Sequence, residues 1–201
     1  MPTYIALLRA VNVGGRVYKM ADLRGHLGAS GLEEVETYIQ TGNVRFRTAM
    51  RSAAKVERHV ESVLADGCGF DVPAIVLTPA ELRQVYDDAT ALPPPFGSPE
   101  PGHRRYVTFF KPGDQPGEEA ALAIKAWDRP GESAVAIGRA VHIWLDHPTA
   151  DAQFFGAFKK VLAAGTNRDL RVVTTLAQRW GQAPAPGPAP SGMATNDPSA
   201  S

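Results

Sequence analysis

The chain has 201 residues, 44% of them hydrophobic and 21% charged, a globular composition that excludes collagen-like, low-complexity and disulfide-stapled classes. Lys+Arg and Asp+Glu balance at 21 each, so no whole-molecule field draws the protein to nucleic acid or an anionic membrane, and any basic surface is local. A single cysteine, Cys68, supports neither an internal disulfide nor a cysteine zinc cluster. With no apolar run of roughly 20 residues and no signal-peptide pattern at residues 1–10, the expected location is the cytoplasm, with no membrane partner.

Residues 4–13 (YIALLRAVNV) read as a largely buried strand closed by Gly14-Gly15. Met20, Leu23 and Leu27 then follow at helical spacing, with Gly28 or Gly31 to end the helix. Residues 35–46 hold two strand-forming runs around Thr41-Gly42-Asn43, a hairpin. Val56, Val60, Val63 and Leu64 predict a second helix stopped by Gly67 and Gly69, and residues 72–77 (VPAIVL) a strand. Thr78-Pro79-Ala80-Glu81 is a capping box that opens a helix through Leu82, Val85, Tyr86 and Ala89.

After the Pro/Gly-rich residues 93–102 the same order returns. Residues 106–111 read as a strand and 121–127 as a helix; residues 133–137 and 141–145 form a hairpin around Gly138-Arg139. Phe154, Phe155, Phe158, Val161 and Leu162 make one helical stripe, and Leu170, Val173, Ala177 and Trp180 another. The expected class is α+β: two tandem ferredoxin-like (split βαβ) subdomains and a disordered tail. Their expected limits are 1–92 with a trailing helix, a connector at 93–103, 104–182 with a C-terminal helix, and an Ala/Pro tail at 183–201.

Three segments carry a family likeness: Leu7-Leu8-Arg9-Ala10-Val11-Asn12-Val13-Gly14-Gly15, Lys19-Met20, and Thr37-Tyr38-Ile39-Gln40-Thr41-Gly42-Asn43-Val44, joined by residues 69–73 (GFDVP). In their order and spacing the chain resembles the uncharacterised bacterial DUF1697 family, whose usual forms are close to LLRGINVGG, a KM helix start and TYIQSGNV. Ala10 stands where the family has glycine, and the family's C-terminal RNWNTV is matched only by Arg168-Asp169-Leu170-Arg171-Val172-Val173. The resemblance implies a two-part α+β fold and a bacterial cytosolic protein; it implies no established reaction.

The strand-to-helix turn through Gly14-Gly15 is a setting in which backbone N–H groups face an anion. Arg9, Arg16 and Lys19 supply charge nearby, and the hairpin amides Gln40 and Asn43 join Asn12 as polar donors. The expected ligand site is therefore Arg9, Asn12, Gly14, Gly15, Arg16, Lys19, Gln40 and Asn43, for a nucleotide or nucleic acid. The plainer account is that the glycines only make the turn, because neither a Walker nor a dinucleotide-binding fingerprint is present.

A second expectation concerns an aromatic sheet face. If Val107, Phe109, Val141 and Ile143 face the helices, alternation sends Tyr106, Phe110, His142 and Trp144 to the opposite face. Such a face stacks bases in single-stranded RNA binders; the plainer account buries it against the other half or a second copy in a homodimer.

Catalytic patterns are thin. Acidic Asp66 and Asp71 beside Cys68 disfavour a thiolate. His142, Asp146 and His147 are metal-ligand types on alternating faces, and Arg104-Arg105, with Lys111 and Arg139, is a candidate phosphate contact against the commoner solvated strand entrance. The expectation is a binding protein with no cofactor and no metal. The rivals are an enzyme acting on a small polar or phosphorylated substrate in the groove between halves, and an assembly module using the aromatic face.

Overall fold

A computed structural model describes residues 1–12, 14–15, 17–96 and 103–182. The first half runs β1 (Thr3–Leu8), α1 (Met20–Ala29), β2 (Glu33–Tyr38), β3 (Asn43–Arg47), α2 (Ala53–Cys68), β4 (Ala74–Leu77) and α3 (Pro79–Ala91). The second runs β5 (Arg104–Phe109), α4 (Glu118–Lys125), β6 (Glu132–Ile137), β7 (Ala140–Leu145), α5 (Phe154–Ala157), α6 (Lys159–Leu162), β8 (Thr166–Asp169) and α7 (Leu170–Trp180). Each half builds one four-stranded antiparallel sheet, ordered β2-β3-β1-β4 and β6-β7-β5-β8. The fold is thus mixed α+β, with helices on each sheet. Residues 97–102 of the expected connector and the expected tail at 183–201 lie outside the described residues.

Local chemistry accounts for the helix limits. Ser52 Oγ accepts from Lys55 N to open α2, and Gly69 at φ +77° ends it, while Val56, Val60 and Leu64 bury one stripe against the first sheet. In α3, Thr78 Oγ1 accepts from Glu81 N and Glu81 Oε2 accepts from Thr78 N at 2.7 Å, the reciprocal pair expected from the sequence. The phenylalanine stripe predicted as one helix is two short ones, because the backbone leaves helical geometry at Phe158 (φ −101°, ψ 19°).

Three apolar layers result. Tyr4, Ala6, Leu8, Val44 and Phe46 meet α1 and α2 on one face of the first sheet. The opposite face, through Ile5, Leu7, Ile75 and Leu77, shares a core with α3, α7 and Val107 and Phe109 of the second sheet. The far face of the second sheet packs Phe110, Val141 and Ile143 against Ile124 and Phe154. The halves are therefore joined by a continuous hydrophobic core, in which each fully buried aliphatic or aromatic side chain contributes about 1.5–3 kcal/mol.

The register of β5 with β7 corrects the expected aromatic face. Arg105 pairs with Trp144, Val107 with His142 and Phe109 with Ala140, and directly opposed residues share a face. His142 and Trp144 therefore lie with Val107 and Phe109 on the face toward α3 and α7, whereas Tyr106 and Phe110 lie on the other with Val141 and Ile143. The alternation within each strand is as expected; the phase between the strands is not. Phe110 is 0%, His142 1% and Trp144 6% exposed and Tyr106 is half-buried, so the four rings form no single open face.

Candidate functional site

Two loops of the first half converge. Leu8 N donates to Gly42 O at 2.7 Å, and the Asn12 side-chain amide donates to Gln40 O at 2.8 Å. Gly42 permits the approach: at φ +78° a Cβ there would sit 2.7 Å from Leu8 Cβ and 2.9 Å from Val11 Cγ1. Ala10 (φ 53°) and Ile39 (φ 49°) hold left-handed backbone on either side of the junction.

From the second half, β8 and the preceding Gly165 close a cleft of about 340 Å³. Arg9, Asn12 and Gln40 line it, together with Thr41, Asn167 and Arg168. Among the other expected residues, Asn43 is fully buried beneath the junction, its amide donating to Tyr38 O and Thr41 Oγ1 at 3.1 Å. Gly14 and Gly15 do not line the cleft, and Lys19 opens instead on a separate cavity with Tyr18, His26 and Cys68. Arg16 lies outside the described residues. Asn12 is also committed at its oxygen, which accepts from Tyr18 N at 2.6 Å, so its amide clamps the loops together. Arg9 donates through Nη1 to Ala163 O across the halves and keeps its other donors.

Arg168, absent from the expected set, organises the cleft. It is 7% exposed, and its guanidinium donates only to neutral oxygens: Asn43 Oδ1 at 2.7 Å, Thr166 Oγ1, Asn167 O and Leu8 O at 2.8 Å, and Thr41 O at 3.1 Å. Burial lowers its pKa to about 10, which leaves it charged at neutral pH. It makes no ion pair among the described residues, so an uncompensated positive charge sits at the base of the cleft. The only sequence signal for it was its match to the first letter of the RNWNTV motif. Its strand, Thr166-Asn167-Arg168-Asp169, contains no apolar residue and escapes a search for alternation.

The remaining candidates disperse. Lys111 pairs with Glu61 at 2.6 Å and Arg139 with Glu81 at 2.9 Å, both across the halves, which removes them from Arg104-Arg105. His147 turns to Asp146 and Glu132 while His142 is enclosed, and no group of three metal-ligand side chains assembles among the described residues. No helix among the described residues is long and apolar enough to cross a membrane.

A family model described as "Protein of unknown function (DUF1697)" matches residues 1–142. No curated protein matches the chain. Among solved structures, the chain is similar to a conserved bacterial protein from Streptococcus pneumoniae, with 22% identity, a TM-score of 0.69 and coverage of 90% of this chain and 99% of that one. At that identity the likeness is one of fold.

Proposed function

From the premise that the chain belongs to the DUF1697 family, we propose that it binds a small anionic ligand, of the size of a mononucleotide, in the cleft between its halves. One observation carries this reading: the enclosed guanidinium of Arg168, with no carboxylate paired to it among the described residues. An uncompensated buried charge costs several kcal/mol, which an anion seated above it offsets. Because Arg168 spends its donors on protein oxygens, it supplies field, while Arg9, Gln40 and Asn167 supply hydrogen bonds to the ligand.

The volume supports a small molecule over a polymer, since about 340 Å³ falls at the low end of ligand-sized clefts. The described lining has no carboxylate, imidazole, thiol or amine to move a proton near neutral pH, and this favours binding over turnover. We read each half as a ferredoxin-like plait, supported by the shared strand order, and place the protein in the cytosol, supported by its single cysteine.

Thermal shift and calorimetry on the full chain test the reading with AMP, ribose 5-phosphate and a short oligonucleotide. A mononucleotide or sugar phosphate raises the melting temperature more than the oligonucleotide does, and Arg9→Ala weakens its binding roughly 10- to 100-fold, as for a lost charge-assisted hydrogen bond. Unchanged affinity in Arg9→Ala, or no shift with any of the three, overturns it.

A further inference from the structure

We infer that the second half carries its own site for a phosphoryl-bearing anion, in a cavity of about 360 Å³ where β5 begins and β8 passes into α7. It shares no lining residue with the cleft at Arg168. Three arginines, Arg104, Arg105 and Arg171, line it with one acidic residue, Asp169. That carboxylate is already taken, for Asp169 Oδ2 accepts from Arg171 Nη2 at 3.0 Å and Oδ1 accepts from Arg171 N at 2.8 Å. Arg104 is exposed, and its side chain makes no hydrogen bond or close ion pair among the described residues, its charge acting on Asp169 only at longer range. In a chain of zero formal charge this is a local excess of cation, and guanidinium groups match phosphoryl oxygens in geometry.

A second observation lies behind the inner wall. Arg105 donates to Ala89 O, and its guanidinium stands 5.0 Å from the centroid of the Trp144 ring, with no acidic partner among the described residues. Arg105 and Leu170 separate the cavity from a void too small for water that His142 and Trp144 line. There both ring nitrogens of His142 and the indole N–H of Trp144 have no hydrogen-bond partner. An anion on Arg105 therefore compensates a half-buried charge that no acidic side chain among the described residues offsets. It also reaches Trp144 through the stacked guanidinium, so occupancy alters the emission of that indole.

Pyrophosphate is the probe, titrated into the full chain by calorimetry and by tryptophan fluorescence. We expect saturable binding accompanied by a change in emission. Arg104→Glu, a charge reversal at an exposed position, weakens that event at least tenfold, whereas Arg9→Ala leaves it in place. Trp144→Phe abolishes the emission change and keeps the heat of binding. The assignment is overturned by any of three results: no saturable binding at millimolar probe, affinity unaltered in Arg104→Glu, or an emission change that survives Trp144→Phe. Loss of the event in Arg9→Ala alone moves the pyrophosphate to the inter-half cleft and overturns it equally.

Discussion

Arg168 on β8 and His142 on β7 are both basic, both enclosed, and carried by the same sheet, and burial lowers the pKa of each, yet only Arg168 is charged at neutral pH. Burial lowers the Arg168 pKa from its ordinary value to about 10, so it keeps its charge at neutral pH, with carbonyl, amide and hydroxyl oxygens standing where its hydration shell was. His142 meets no acceptor at either ring nitrogen, and burial drives its pKa down to about 4, so it is neutral at physiological pH. Burial lowers the two alike; the intrinsic basicity of each group, guanidinium against imidazole, decides which stays charged at neutral pH. The acceptors around Arg168 come from the β1 end, the β2–β3 loop and β8, so the charge is solvated only when the halves are docked.

The largest break in this comparison is Arg168→Met. It fills similar volume but strands oxygens from three segments at once, and we expect a loss of about 3–5 kcal/mol in denaturant-unfolding stability. Arg168→Lys restores the charge with fewer donors and a different geometry, and recovers only part of that loss. If Arg168→Met unfolds at the wild-type midpoint, the oxygens are satisfied without it and the guanidinium does not hold the halves together.

His142 supplies the next effect, with a definite sign. The folded protein holds it neutral down to about pH 4, whereas the unfolded chain takes up its proton near pH 6.5. Between those values the unfolded state binds more protons, so stability present above pH 6.5 is lost as pH falls toward 4. Asp88 opposes the shift and Arg105 reinforces it, both secondary to burial. His142→Leu removes the titration and any unsatisfied nitrogen, and should flatten the acid limb by about 3 kcal/mol relative to wild type. Equal slopes for the two proteins between pH 7 and pH 4 would show that His142 is not the group responsible.

The same contrast marks what was legible in the sequence. Stripes such as Val56-Val60-Leu64, the Thr78 to Glu81 capping box and the hairpin at Gly138-Arg139 are local, so they read correctly from neighbours alone. The convergence of Asn12 with Gln40 was also foreseeable, since paired strands carry their end loops together. Non-local facts were not: β8 is a strand because β5 offers it a ladder, and its four polar residues carry no period of their own. The face shared by His142 and Val107 depends on register, which neither strand encodes separately. Arg168 combines both difficulties, lying on the unseen strand and bonding to residues more than 120 positions away.

Strain in the loops that solvate Arg168 gives smaller effects. Ile39 is β-branched, 42% exposed and held at φ 49°, so Ile39→Gly relieves an unfavourable left-handed conformation and should gain about 1 kcal/mol. A gain of zero would mean that the exposed side chain contributes packing equal to the strain.

The finest test is Ala10→Gly, which restores the residue usual at this position in the resembled family. At φ 53° alanine pays a steric cost that glycine does not, offset in part by the greater freedom of glycine in the unfolded chain, so the expected gain is about 0.5–1 kcal/mol. The bend at Ala10 lies two residues after Leu8, whose carbonyl accepts from Arg168, so the strain and the solvation of the charge belong to one structure. A double-mutant cycle separates them: if the loop is held bent by Arg168, Ala10→Gly gains less in an Arg168→Met background, where the loop relaxes unaided. Equal gains in both backgrounds would make the bend a property of the β1 end alone, with Arg168 donating to a carbonyl already in place.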